Sequence, residues 1–362
     1  MVANTTWNLH HFRRGLTAAL LAKGFRVVLL APAGPERKQL EALGATFVPL
    51  QHLRRSGMNP FRDLALLWEL KSIYKREHVT HALHFTIKPV IYGSLAARVA
   101  GVVNVSTLTG LGYTFLSGAF TNRLIRYLYR LSLQQAHRVF FHNPDDLALF
   151  VKDRLCVANQ AQVVGGSGLR LADFPQVDLA VADANRFLFA GRLLSDKGIR
   201  EYAAAARLAR ELKPELHFHI VGAIDHENPA AISPAELEVW VTNGDVIYDG
   251  LTTDIRPHIA RATCVVLPSY REGCPRVLLE AAAVGRPLIG ADVPGVREVV
   301  TPENGYLVPR KSVKPLRDAI LKVHQSTEAQ RQNMARAGRL LVASKFSEAA
   351  VVGAYLQAVE AN

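Results

Sequence analysis

Short β-branched runs, each followed by an amphipathic stretch, fill this chain twice over, with one glycine-rich break between the two series. Residues 26–31, 46–50, 81–86, 102–108 and 139–142 read as strands. Helical periodicity falls between them at 10–23, 60–77, 89–100, 119–137 and 144–154. The strands are continuously apolar instead of alternating, which marks a parallel sheet covered on both faces. Periodicity then fails over 163–174, VVGGSGLRLADF, and a hinge is expected there. Afterwards strands resume at 187–190, 217–221, 246–248, 264–267, 288–291 and 306–308. Helices accompany them at 198–212, 233–243, 254–261, 275–284, 294–300 and 313–325, with a helical tail over 328–360. The expected fold is α/β: two doubly wound Rossmann-like domains facing a central cleft, the ligand lying outside the carboxyl ends of the strands. Their bounds are read as 1–168 and 169–345, with 346–362 a terminal helix packing back on the first domain. Only Met1, Val2 and Ala3 precede the 4–8 loop, so the first strand is expected to be unusually short, or the start to lie inside the natural one.

At 362 residues the chain can bury two cores of ordinary size. Cys156, Cys264 and Cys274 are far apart and form no C-x-x-C pair, so they read as reduced, buried thiols. No apolar run is long enough for a membrane span and no signal peptide is visible, which points to the cytoplasm. Charge separates the halves. Residues 1–165 carry 20 Lys and Arg against 8 Asp and Glu, and residues 166–362 carry 23 of each. The whole net charge of +12 therefore sits on the first half, which favours an anionic partner: nucleic acid, an acidic membrane or a phosphorylated substrate. The plainer reading is that the excess only aids solubility.

Two segments carry chemistry. Residues 264–300 read as a buried strand, a loop with Glu272 and Gly273, and a helix with Pro275 in its first turn, where a missing N–H costs nothing. The open helix end presents free amides to an anion such as a diphosphate. Glu272 before the helix and Glu280 within it can accept hydrogen bonds from hydroxyls at both ends of a ligand; a bare pair of solvated glutamates is the alternative. Residues 187–199 read as a buried strand, a glycine turn, then Arg192 and Lys197 at a helix start. Two cations there form a diphosphate clamp, or else a βα loop whose side chains face water.

Together these segments resemble the nucleotide-binding domain of the retaining glycosyltransferases of GT-B architecture, family 4. The family's G-R-x4-K-G stands here as Gly191, Arg192, Lys197 and Gly198, its E-x7-E as Glu272 and Glu280, and its A-x3-G-x-P as Ala281, Gly285 and Pro287. The likeness spans essentially the whole chain. It implies that Arg192 and Lys197 hold the donor diphosphate and that Glu272, with the backbone of Gly273 and Cys274 beside Pro275, meets the sugar hydroxyls. Glu280 would bind the ribose, and the stretch near Tyr248 would approach the base, with Gly191 and Gly222 also bordering the donor. It implies transfer with retention through an oxocarbenium-like state, the departing diphosphate oxygen taking the acceptor proton. No metal or other cofactor is expected: the chain lacks Asp-x-Asp, and Arg192 and Lys197 supply the positive charge.

The stretch 84–115 resembles a subgroup that extends glycans on polyprenyl-diphosphate carriers with N-acetylgalactosamine or a related hexosamine. Its T-I-K-P, Y-G and T-G-L-G lie at 86–89, 92–93 and 109–112. The implied activity is α-1,3-N-acetylgalactosaminyl transfer from a UDP-sugar to a diphospho-undecaprenol-linked saccharide, in bacterial surface-glycan or glycoprotein-glycan synthesis. Acceptor-side candidates are His84, Lys88, Thr109, Gly110 and Gly112. Many members carry a histidine where this chain has Thr109, so a histidine base there is in doubt. His84 is the alternative, against the plainer reading of a structural histidine. Lys88 is read either as meeting the acceptor diphosphate or as capping the turn.

A helix over 120–138 sets Arg123, Arg126 and Arg130 beside Leu124, Tyr127, Leu128 and Leu131. Such a helix can lie on an anionic bilayer, reinforced by Arg54, Arg55, Lys71, Lys75 and Arg76, or can simply be solvated. The membrane reading puts the protein peripherally on the inner face of the cell membrane. Other readings are a transferase with a soluble acceptor, a sugar-nucleotide epimerase, which would lack both donor motifs, and a nucleic-acid binder, for which no helix-turn-helix, zinc or RNP-like pattern exists. A nicotinamide enzyme is excluded because Phe115 fills the third glycine position after Gly110 and Gly112.

Overall fold

The computed structural model describes residues 1–54, 57, 59–111, 119–183, 185–226 and 228–360, with only the backbone of residues 119–121. Two compact units emerge, one comprising Met1–Gly168 with Glu348–Asn362, the other Leu169–Ser347.

Unit 1 runs α1 (Thr6–Ala22), β1 (Val28–Ala31), α2 (Arg37–Glu41), β2 (Thr46–Pro49), α3 (Pro60–Arg76) and β3 (His81–Phe85). A π-helical turn over Pro89–Gly93 leads into α4 (Ser94–Ala100), followed by β4 (Val103–Leu108), α5 (Ala119–Leu133), β5 (Arg138–Phe141), α6 (Pro144–Lys152) and β6 (Ala161–Val163). All its strand pairs are parallel, in the runs β1–β2 and β3–β4–β5–β6. Val2 bridges Leu30 and His84, both in parallel, and so joins the two runs into one sheet. Helix starts follow local chemistry. Asn59 caps α3 ahead of Pro60, and Asn143 caps α6 ahead of Pro144, each side chain accepting a first-turn amide.

Unit 2 contains β7 (Arg186–Ala190), α7 (Ile199–Leu212), β8 (His217–Val221), α8 (Pro234–Thr242), β9 (Ile247–Gly250), α9 (Arg256–Arg261) and β10 (Cys264–Leu267). It continues with α10 (Arg276–Val284), β11 (Leu288–Ala291), β12 (Gly305–Val308), α11 (Val313–Gln325) and α12 (Glu328–Lys345). Its six-stranded parallel sheet has the order β12-β11-β10-β7-β8-β9. Strands β7, β10 and β11 are buried along their full length, which explains their unbroken apolar sequence.

The helical tail is two helices. After α12, which opens with a capping box of Thr327 and Gln330, the chain breaks at Phe346 and Ser347 and forms α13 (Glu348–Glu360). Helix α13 belongs to unit 1, where Tyr355 packs against Phe140 at 4.6 Å between centroids and its hydroxyl meets Thr107 Oγ1 at 2.7 Å. Because Glu348 and Glu360 return with α13, unit 1 carries 20 Lys and Arg against 10 Asp and Glu, and unit 2 carries 23 against 21.

Three local expectations are corrected. Residues 294–300 form successive turns, not a helix; Val296, Val299 and Val300 are buried at helix-like spacing, which imitates the period. Pro275 is the extended residue before α10, not part of its first turn. Strand β6 went unread because it is a three-residue edge strand, mostly exposed and without an apolar pattern.

Candidate functional site

The strand order of unit 2 reverses between β7 and β10, so the loops leaving their carboxyl ends splay apart and open a crevice there. Glycine lets the chain enter it. Gly191 (φ +154) and Gly222 (φ +147) leave β7 and β8, and a Cβ on Gly222 would lie 1.8 Å from the Gly191 carbonyl oxygen. Gly198 (φ +73) permits contact with the end of β10, since a Cβ there would meet the Pro268 oxygen at 2.2 Å. The β7–α7 and β10–α10 loops are also tied by the Tyr270 amide, which donates to the Asp196 carbonyl at 2.8 Å.

This packing brings Lys197 and Glu272 together across 75 residues of sequence. Lys197 Nζ lies 2.5 Å from Glu272 Oε1, and Ser269 Oγ donates to the same oxygen at 2.7 Å. Arg192 is half exposed and pairs with Asp225 at 2.9 Å. Gly273 is buried and Cys274 partly so; burial pushes the Cys274 thiol well above its ordinary range, which makes it no nucleophile. Pro275, the residue before α10, provides no side-chain cap for the helix start. Glu280, one turn further, receives a hydrogen bond from Arg276 Nε at 2.8 Å. Burial raises the Glu280 pKa and Arg276 opposes that rise. Tyr248 lies within β9, its hydroxyl donating to the Gly222 carbonyl at 2.8 Å. Cations, uncapped amides and two carboxylates thus surround one crevice, a set suited to a ligand with an anionic middle and hydroxyls on either side.

The candidates in unit 1 fare differently. His84 is fully buried, with Tyr74 Oη and Asn104 Oδ1 each 2.8 Å from a ring nitrogen. Burial lowers its pKa to about 3, so it is a neutral structural histidine and not an acceptor-side base. Lys88 neither caps the turn nor points free: its Nζ lies 2.8 Å from Asp63 Oδ1, while Tyr92 donates to Oδ2 at 3.2 Å. Thr86 adopts φ +72, a strained conformation for a β-branched residue, next to the π-helical turn. Thr109 and Gly110 (φ +127) follow β4 and are partly exposed; Gly112 and Arg55 lie outside the described residues. On α5, Arg123 and Arg130 are exposed beside Leu124, Tyr127 and Leu131, whereas Arg126 is paired with Asp153.

Sequence reasoning missed Ser269, Asp225, Arg276 and Asp63. The i,i+4 spacing of Arg276 and Glu280 was the one available signal; the others depend on contacts distant in sequence or on loop geometry.

Both units of the chain are similar to known proteins. Residues 1–143 match the family described as glycosyl transferase 4-like, and residues 184–326 match glycosyl transferases group 1. A Campylobacter jejuni protein, N,N'-diacetylbacillosaminyl-diphospho-undecaprenol alpha-1,3-N-acetylgalactosaminyltransferase, is 28% identical over 86% of this chain and 85% of its own. An Escherichia coli UDP-Gal:alpha-D-GlcNAc-diphosphoundecaprenol alpha-1,3-galactosyltransferase is 26% identical over 80% and 78%. Among solved structures, Anabaena HepE in complex with UDP and glucose aligns with a TM-score of 0.81 at 17% identity, covering 100% of this chain and 98% of that one. Sucrose-phosphate synthase from Thermosynechococcus elongatus aligns at 0.78 and 22% identity, over 97% and 93%. The chain belongs to the GT-B glycosyltransferases, its first part a glycosyl transferase 4-like domain and its second a group 1 domain.

Proposed function

We propose that this glycosyltransferase moves a hexosamine, N-acetylgalactosamine first among them, from a UDP-sugar to a saccharide carried on polyprenyl diphosphate, with retention and without a metal. The observation that carries the donor half is the Lys197–Glu272 pair at the switch point of unit 2, with Arg192 and the uncapped start of α10 in the same crevice. In the free site each cation is already paired, Lys197 with Glu272 and Arg192 with Asp225. An incoming diphosphate gives both cations a stronger partner and frees Glu272 to accept from sugar hydroxyls. Glu280 accepts from the ribose hydroxyls, held ionised by Arg276, and Tyr248 borders the base.

The step balances without a protein base. The bond from the anomeric carbon to the diphosphate breaks as the acceptor oxygen approaches on the same face. The acceptor proton passes to the departing diphosphate oxygen. Arg192, Lys197 and the α10 amides stabilise the charge that grows on UDP. The acceptor half is supported by the two relatives named for diphospho-undecaprenol-linked substrates and by the basic surplus of unit 1. In this reading the surplus holds unit 1 against an anionic membrane on the cytoplasmic side. Among the described residues no helix is long and apolar enough to cross a membrane.

UDP release should be measured over a panel of UDP-hexosamines in EDTA, with and without a polyprenyl-diphosphate-linked saccharide. Turnover that rises with the lipid-linked acceptor is expected. Equal turnover on a free sugar would overturn the lipid assignment, and dependence on a divalent ion would overturn the metal-free one.

A further inference from the structure

Unit 1 has a switch point of its own. With Val2 counted as a strand, its sheet runs β2-β1-Val2-β3-β4, the same reversal that unit 2 makes between β7 and β10. The segments leaving the carboxyl ends of Val2 and β3 therefore flank a crevice equivalent to the one that gathers the ions in unit 2. In place of ion pairs, the segment after Val2 carries an aromatic group. Trp7, in the first turn of α1, is 48% exposed although its neighbours Thr6 and Leu9 are buried. It is held rigidly: the His11 ring stacks on it at 4.5 Å between centroids, and Phe12 meets it edge-on at 5.0 Å. Glu36, from the loop after β1, accepts from Thr6 Oγ1 through Oε2 at 2.6 Å and lies close enough to His10 to favour its protonated form. Gly34 makes that approach possible, since a Cβ there would lie 2.1 Å from Thr6 Oγ1.

A pyranose ring has one face rich in C–H groups and a rim of hydroxyls. A fixed, half-exposed aromatic ring, with an imidazole stacked on one face and a carboxylate bound to the adjacent Thr6, offers groups for both. Resting on the reading of function above, we propose that Trp7 is the platform on which a sugar of the acceptor saccharide stacks, with Glu36 and His11 taking its hydroxyls.

The test uses the whole protein and a farnesyl-diphosphate-linked N-acetylhexosamine saccharide as acceptor. Trp7→Ala should raise the acceptor KM roughly three- to tenfold, the strength of one lost aromatic contact, while UDP affinity stays as in the wild type. Trp7→Phe should restore most of the loss. It should also abolish the acceptor-induced change in tryptophan fluorescence, leaving Trp68 and Trp240 as silent emitters. Glu36→Gln should raise the acceptor KM without removing the fluorescence change. An acceptor KM unchanged in a Trp7→Ala protein that still binds UDP would overturn the proposal. So would loss of vesicle binding with an unaltered KM for the short-chain acceptor, which would make Trp7 a membrane contact. If the wild type shows no acceptor-dependent UDP release at all, the functional reading itself has failed and the platform falls with it.

Discussion

The two units share a parallel sheet that reverses at a switch point, yet they fill that point with opposite chemistry. Unit 2 is nearly neutral and concentrates charge locally: Lys197 on Glu272, Arg192 on Asp225, and the open end of α10. Unit 1 spreads a surplus of ten positive charges over its surface, while its switch point offers Trp7, a strained Thr86 and a lysine already held by Asp63. The same topology thus presents two different sets of side chains at its switch point. The crevice is set by the strand order, and its occupant by the few side chains that the loops deliver.

The largest effect expected from breaking this contrast is at Lys197. Lys197→Ala removes the cation proposed to meet the departing diphosphate, and kcat/KM for the donor should fall by about 10²–10³. The acceptor KM should hardly move; an equal loss on both substrates would mean that the division of labour between units is wrong. Gly222→Ala comes next. Its Cβ would overlap the Gly191 oxygen, so unit 2 should lose roughly 1–3 kcal/mol, read as a lowered thermal midpoint.

Acid sensitivity should separate the units as well. His84 and His142 are buried in unit 1 with pKa values lowered to about 3. The unfolded chain takes up those protons near pH 6.5, so stability should decline as pH falls from 6.5 towards 3. Thermal unfolding followed at pH 7 and pH 4.5 should show a smaller acid loss for His84→Gln than for the wild type. In unit 2 the sensitive group is Glu280, whose pKa burial has raised. UDP affinity should therefore weaken as pH drops through a value above the ordinary carboxylate range. Arg276→Leu removes the cation that opposes that rise, so the acid limb of UDP binding should move to higher pH. A titration of affinity against pH checks this, and a limb that stays in place would show that Arg276 does not hold Glu280 ionised. The smallest effect is at Thr86. Thr86→Gly relieves a left-handed backbone and should stabilise unit 1 by about 1 kcal/mol.

How much was legible follows from the same contrast. The strands and most helices of both units could be read because their burial pattern is local. The candidate donor residues could be picked out because Gly191, Arg192, Lys197, Glu272 and Glu280 fall in two short segments. Their pairing could not, since Lys197 meets Glu272 only through the packing of Gly198 on Pro268. His84 misled because a histidine at a strand end has the same letter whether it faces a substrate or, as here, Tyr74 and Asn104. Trp7 carried no signal at all: its meaning depends on Val2, a single bridging residue, becoming the strand at which the sheet reverses.

The central claim is that the switch point of unit 2 grips a nucleoside diphosphate by its own cations. Calorimetric titration of UDP in EDTA tests it most directly, comparing the wild type with Lys197→Ala and with Arg192→Ala. Metal-free binding by the wild type that weakens about a hundredfold in Lys197→Ala, and less in the more exposed Arg192→Ala, is the predicted result. Undiminished affinity in both variants, or no binding until a divalent ion is added, would contradict it.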